Sequence, residues 1–361
     1  MLKQLKNLQE DFIRKNSFNI SKAVVIGCIC GILLLISVLF ATTYGTMGIT
    51  KQKVFDIIFY HMGFTDYKYW TKTEDLVIWN LRLPRAVLAC MAGAGLAVSG
   101  VAMQAAVKNP LADPYILGIS AGASAGATAV IAADLLDITA EYSISIGAFG
   151  GAIISMLILF MLNKGNRDSV KLLLSGCVIS ILFSSISSVI MFLAKDKEKI
   201  SSVLFWLMGS MADANWTMVP IVLVTVLLGI SILMLYHRQL NAMLLGEETA
   251  HTLGVNIGKI RLQLIVLVAI TVGSIVAFCG MIGFIGFVVP HIVRALLGAD
   301  HKIVVPVSAF IGAFFLLWCD VAARVVSIPE ELPIGIITAL LGAPFFIYIL
   351  QRKRYSFGGK R

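Results

Sequence analysis

Arg82 and Arg85, spaced by Leu-Pro, and Arg324, one helical turn after Asp320, are the residues whose type and spacing first suggest chemistry. A guanidinium presents a planar fork of donors that pairs bidentately with a carboxylate, so it fixes orientation as well as attraction. Arginines so placed either recognise an acidic partner or snorkel to a membrane interface, and Asp320 offers Arg324 a local partner. Gly122-Ala123-Ser124-Ala125-Gly126 has the spacing of a nucleophile elbow, which also requires a strand-to-helix turn and a positioned histidine and acid. Here Gly118, Gly122 and Gly126 recur every fourth residue along an apolar run, the mark of a face where helices approach closely. No catalytic residue is assigned. His291, in Pro-His-Ile-Val-Arg, reads as a helix-start residue rather than a metal ligand. The six cysteines (Cys28, Cys30, Cys90, Cys177, Cys279, Cys319) lie in apolar runs without zinc-type spacing, so they read as small core residues and no metal site is expected. No Walker A sequence occurs, so this chain is not expected to bind ATP, and no cofactor is expected on it.

Composition fixes the elements that must hold these residues. The 361 residues are 58% hydrophobic and 14% charged. The mean hydropathy of +0.91 calls for solvation by lipid rather than water. At roughly 20 residues per crossing, the apolar runs accommodate about ten helices, which makes the fold class an all-α polytopic membrane protein. The net charge of +9 does not point to nucleic acid, because the basic residues sit in short loops and tails. Lys3, Lys6, Arg14, Lys15 and Lys22 precede the first apolar run, and Arg352, Lys353, Arg354, Lys360 and Arg361 follow the last. Positive flanks favour the cytosol, so both termini are placed there, with an even number of crossings of the cell membrane. Residues 1–22 then form a cytosolic segment, 23–351 the transmembrane domain and 352–361 a basic tail. The first run, Ala23 to Ala41, is longer than a signal-peptide core and lacks a clear cleavage site, so it reads as a retained helix.

The expected spans are 23–44, 82–108, 115–135, 142–163, 170–194, 217–236, 260–281, 290–299, 303–325 and 334–351, with an external segment at 45–80. Gly93, Gly100, Pro110 and Gly118 recur 180 residues later as Gly273, Gly280, Pro290 and Gly298. About five helices fit in that interval, an odd number, so the second half should be inverted relative to the first. Proline frees a carbonyl that lipid cannot satisfy, so irregular backbone must face protein or a water-filled path. The segment Gly280, Gly283, Gly286, Pro290 is therefore expected to be re-entrant and to lie beside the pathway.

The stretch LRLPRAVLACMAGAGLAVSGVAMQAAVKNPLADPYILGISAGASAGA from Leu81 resembles the FecCD-type permeases of bacterial ABC importers, which take up iron-siderophores, haem and cobalamin. GFIGFVVPHIVRALLGADH from Gly283, DVAAR from Asp320 and ELPIGIITALLGAPFFIYIL from Glu331 carry the same likeness, which covers most of the chain beyond residue 80. The resemblance implies a type II ABC importer permease fold and an assembly with two ATPase subunits, an extracytoplasmic substrate-binding protein and a second permease copy or paralogue. Siderophore-bound iron is the expected cargo, with haem or cobalamin as the alternative. It further implies that Arg82, Arg85 and Arg324 receive acidic residues of the binding protein.

Gln239 to Asn256 is polar enough to leave the membrane, and its LGEETAHTLGV resembles the family's coupling helices. Gly246 divides two helical pieces, Glu247 and Glu248 suit the positive end of the second, and Gly254 suits its stop. Met243, Leu244, Ala250 and Leu253 would form the apolar face towards an ATPase, with Glu247 and Thr249 at its rim. Asn109 and Leu111, in the Asn-Pro-Leu-Ala-Asp-Pro turn, would be gate residues, with Ser169 beside Asp168 as the counterpart. A rival from another class, an ion-coupled secondary transporter, would need mid-span carboxylates that the apolar runs barely supply. A membrane-embedded hydrolase is a more distant alternative.

Overall fold

The computed structural model describes residues 25, 27–133, 140–163, 169–194 and 196–352. The basic residues before the first span, Asp168, the tail from Lys353 and the side chain of Ser169 lie outside these. Helix α1 (Gly27–Thr42) is followed by the short α2 (Lys51–His61) and then by α3, which runs from Lys72 to Val107. A 3-10 turn at Pro114–Leu117 leads to α4 (Ile119–Ala133), α5 (Ala140–Leu162), α6 (Ser169–Leu193) and the short α7 (Lys197–Leu207). Next come α8 (Met218–Leu235) and the paired short helices α9 (His237–Leu244) and α10 (Glu247–Thr252). The chain closes with α11 (Ile257–Cys279), α12 (Ile285–Leu297), α13 (His301–Val325) and α14 (Ile334–Arg352). Among the described residues, six helices are long and apolar enough to cross a membrane, and α1, α4, α12 and α14 are shorter apolar helices, which matches the ten that composition predicts.

The halves repeat in helix order but not in the expected register. Both run long, short, long, α3 to α5 and α11 to α13, and each run is followed by one more apolar helix, α6 and α14. Ile285 follows Ile119 by 166 residues and Ile334 follows Ser169 by 165, so the 180-residue offset does not pair equivalent positions. Gly118 precedes its short helix whereas Gly298 ends one, and Pro110 lies in a turn whereas Pro290 lies inside α12. Glycine and proline mark several kinds of helix end, which is why their spacing misled. Five apolar helices (α3, α4, α5, α6, α8) separate the start of α3 from the start of α11, so the second half runs inverted.

Helix α3 is the mast of the bundle: its most apolar window is 89% buried, against 22% for α6. It packs against α8, α11, α12 and α13. Small residues make this possible, since lipid supplies no hydrophobic drive and helices associate through close contact. A Cβ at Gly93 would collide with the Gly312 carbonyl of α13, and one at Gly100 with the Gly286 carbonyl of α12. Pro290 has no N–H with which to bond Gly286, four residues back, and Gly100 comes against that freed carbonyl. Gly100→Ala is expected to destabilise the protein by about 3 kcal/mol or more, because backbone meets backbone and neither can yield. A thermal-unfolding midpoint matching wild type would contradict this packing.

The irregular segment is shorter than expected. It spans 280–284, with Gly280 at φ 65° and Phe284 at φ 70°. Gly286 and Pro290 are helical, a correction to the re-entrant segment read from sequence, and His291 stands within α12 rather than at its start. Pro290 is the sixth residue of α12, past the first four N–H groups that lack intrahelical partners, so it costs the helix its bond to Gly286. The break is lined by protein: Ser210 N–H donates to the Cys279 carbonyl at 3.0 Å and Gly335 N–H to the Met208 carbonyl at 3.1 Å. A Cβ at Gly209 would lie 2.5 Å from the Met281 carbonyl, so a side chain there would part these strands of backbone.

Candidate functional site

The three arginines converge at one end of the mast. A π-turn at Val77–Arg82 precedes Pro84, whose ring cannot accept the regular α-helical ladder, and this wider turn sets the direction of Arg82. Arg82 donates to the Met47 carbonyl at 2.6 Å and reaches that of Thr42 at 3.5 Å. Gly45 leaves room for it, since a Cβ there would stand 2.5 Å from Arg82 Cζ. Arg85 donates through Nε to Asp320 Oδ1 at 2.9 Å and through Nη1 to Glu331 Oε2 at 2.6 Å. Arg324 Nη2 lies 3.0 Å from Asp320 Oδ2, an ion pair without good hydrogen-bond alignment, while Nη1 donates to the Tyr44 carbonyl at 2.9 Å. The arginines are only 6%, 8% and 2% exposed, and Asp320 is fully buried. The sequence therefore located the cluster but not its depth: α3 begins ten residues before Arg82, and α1 and the segment after it wrap the guanidinium groups.

Lys108 lies 26 residues beyond Arg82 along the chain, about 39 Å away if all of it were helix. There α9 and α10 form a knuckle, divided at Gly246 (φ 109°) and closed by Gly254 (φ 80°). Leu244, Leu245 and Leu253 are exposed, whereas Met243 and Ala250 are buried. This corrects the apolar face read from sequence: Met243 and Ala250 anchor the knuckle to the bundle, and Leu245 joins the outward face. Glu247, the first residue of α10, meets Lys108 Nζ and Arg261 Nη2, both at 3.1 Å from Oε1. Arg261 Nε also donates to the Ala106 carbonyl at 2.8 Å. One carboxylate thus ties the knuckle to the end of α3 and the start of α11. Lys108 and Arg261 hold its pKa below the usual glutamate range.

The turn after α3 begins with Lys108 in left-handed geometry (φ 57°). Asn109 Oδ1 accepts from Leu111 N–H at 2.9 Å, and Asp113 Oδ1 from Tyr115 N–H at 2.8 Å, the local bonding that makes these residues turn formers. Tyr115 then reaches the broken segment: its hydroxyl donates to the Ile282 carbonyl at 2.9 Å and accepts from Ile282 N–H at 3.0 Å. A 270 Å³ cavity between turn and knuckle is lined by Gln104, Lys108, Pro110, Met243, Arg294 and His301, among others.

The sequence profile of the FecCD transport family matches residues 33–352. The chain belongs to the FecCD transport family. It is 41% identical over 299 residues to a hemin transport system permease protein of Yersinia pestis, covering 80% of this chain and 88% of that one. A cobalamin import system permease protein of Halobacterium salinarum is 38% identical over 78% of this chain and 74% of its own length. An Fe(3+)-citrate import system permease protein of Bacillus subtilis is 39% identical, over 78% and 83% respectively. Among solved structures, an inward-facing conformation described as a metal-chelate type ABC transporter superimposes with a TM-score of 0.76 at 31% identity, covering 91% of this chain and 99% of that one.

A FecCD chain is thus a multi-pass permease subunit of an ABC importer, and its glycine-flanked serine has a packing role. Ser124 Oγ donates to the Ser120 carbonyl one turn back at 2.9 Å, and Gly122 and Gly126 abut Gly151 and Gly147 of α5. Of the cysteines, Cys90, Cys279 and Cys319 are buried core residues, while Cys28 and Cys177 are exposed. Sequence reasoning missed Glu331, Asp320 as the shared partner of two arginines, and Tyr115. Only Asp320 carried a signal, its four-residue spacing from Arg324.

Proposed function

We propose that this FecCD permease imports an iron complex, an iron-siderophore in the first instance, as the membrane half of an assembly with two ATPases, a second permease copy or paralogue and an extracytoplasmic binding protein. The observation that carries the cargo is that relatives of high identity handle bulky chelates, hemin and ferric citrate among them. The 41% identity to the hemin permease favours haem as the second reading. In this account both termini and the knuckle face the cytosol, and the arginine cluster faces outward to receive carboxylates of the binding protein. ATP and magnesium act on the ATPases. Leu244, Leu245 and Leu253 offer them an apolar face, with Thr249 at its rim.

Glu247 would pass the motion of the knuckle to Asn109, Leu111 and the rest of the turn through Lys108, and to the second half through Arg261, with Ser169 lying at the matching turn. The backbone break at Gly280 and Gly283 would border the path. Reconstitution with the ATPase and the co-purifying binding protein tests the reading: ATP-dependent uptake of a ferric siderophore is expected, with hemin and cobalamin as competitors. Uptake driven by an ion gradient with an inactive ATPase would overturn it. Glu247→Gln is expected to lower uptake about five- to tenfold while ATP hydrolysis continues, the mark of a lost coupling contact. Because the carboxyl is held below its usual pKa, the link is complete above the ordinary glutamate value of about 4.3 and weakens only as pH falls through the lower folded-state value.

A further inference from the structure

Arg85 and Arg324 pair with the two carboxylates of Asp320 and Glu331 while Arg82 bonds only main-chain carbonyls, leaving one positive charge of the three without an anionic counterpart in the cluster. We propose that Glu331 occupies, on Arg85, the place of an incoming protein carboxylate, and that docking exchanges one carboxylate for the other. This rests on the docking role proposed above. The two acidic groups are held very differently. Asp320 lies on α13, fully buried between Arg85 and Arg324, and cannot leave without stranding two buried charges. Glu331 lies on the turn between α13 and α14, its side chain is 31% exposed, and it is held by one bond, to Arg85 Nη1. Residues 325–330 before it are exposed, and the turn is tied to α13 through Leu332 N–H on the Ala323 carbonyl at 3.1 Å.

Exchange of like for like on one guanidinium fork is close to balanced, so a small bias decides its direction. Arg82 supplies that bias: it donates to the main-chain carbonyls of Met47 and Thr42, and it is near enough to Arg324 and Glu331 to interact with both charges. Because the displaced Glu331 stays beside the cluster on a turn tied to α13, a partner's carboxylate brings the anions to three for three guanidinium groups, whereas Asp320 and Glu331 alone leave one unmatched. Between docking events Glu331 keeps Arg85 oriented and paired, because an unpartnered buried guanidinium would be costly. Departure of the partner lets Glu331 return, so the same residue orients the empty site and speeds release.

The test uses the whole permease–ATPase complex in lipid nanodiscs and the binding protein that co-purifies with it. Glu331→Gln keeps the shape and removes the competing charge, and it is expected to bind about three- to tenfold more tightly, with slower dissociation. Glu331→Asp retains the charge on a shorter arm and should fall between wild type and Glu331→Gln. A spin label at Glu330→Cys, with Glu331 intact, should gain mobility when the binding protein is added. Equal or weaker binding by Glu331→Gln, with a label that does not respond, overturns the exchange. Arg82→Gln separates that outcome from failure of the docking role: weakened binding leaves docking standing, whereas unchanged binding in both variants removes the docking role and the exchange together.

Discussion

Asp320→Ala is expected to be the most damaging single substitution at the arginine end, lowering stability by about 3–5 kcal/mol. The side chain is fully buried, accepts from Arg85 Nε at 2.9 Å and neutralises Arg324 at 3.0 Å. Its removal leaves two guanidinium groups, 8% and 2% exposed, without their shared anion. The cost is one of stranded charge more than of a lost bond, because a buried ion pair is repaid for its desolvation only while both signs are present. Asp320→Asn should therefore be intermediate, since its amide oxygen can still accept from Arg85. Simultaneous replacement of Asp320, Arg85 and Arg324 by apolar residues of similar volume should recover much of the loss in stability while abolishing the proposed docking. Unfolding of the purified permease in mixed micelles reads all three. An Asp320→Ala variant within about 1 kcal/mol of wild type would mean that water or lipid headgroups already reach these arginines.

Much of the architecture was legible because membrane helices announce themselves by composition. Among the described residues ten apolar helices answer to the ten expected, and the spans bounded by polar loops, such as Met218–Leu235 and His301–Val325, agree within about two residues with expectation, as is usual for helix ends. Errors arose where sequence spacing stood in for three-dimensional position. Helix α3 was expected near Arg82 because two arginines and a proline look like a beginning, yet a capping box at Thr71 and Glu74 starts it earlier. That extension carries the second small core of Ile49, Val54, Ile57, Ile58, Trp70 and Ile78, which packs the segment after α1 over the mast. Proline at 290 looked like a helix boundary and is tolerated within the second turn of α12 instead.

The candidate site was legible at the level of residue type and opaque at the level of pairing. Arg82, Arg85 and Arg324 were found because arginine among apolar residues is rare, whereas Glu331 lies 246 residues from Arg85 in a turn that no local pattern links to it. The knuckle shows the same division. Its glycines marked the two helix ends correctly, but which apolar residues face outward depends on how α9 and α10 are rolled against the bundle. Met243, at 3% exposure, and Leu244, at 51%, are neighbours in sequence on opposite sides of that decision.

Tyr115→Phe should separate packing from hydrogen bonding where the first half bonds the main chain of the break. The ring can stay, but the hydroxyl that donates to the Ile282 carbonyl and accepts from its N–H is lost. Ile282 is 1% exposed and sits in the segment 280–284, where no helical partner is in register to replace the phenol. Each buried main-chain group left unpaired costs about 1–3 kcal/mol, so the pair sets an expected loss of about 2–6 kcal/mol. The loss should be local as well as global: the Ile282 amide should exchange with solvent deuterons faster in the variant, while amides in the middle of α3 keep their protection. Uptake should fall by more than stability alone explains, because Tyr115 lies on the turn that begins at Lys108 and so connects the knuckle, through Glu247, to the broken segment. A variant with full transport and an unchanged Ile282 amide would show that this phenol is only a filler. Movement at the turn would then have to reach the second half by the other route, through Arg261.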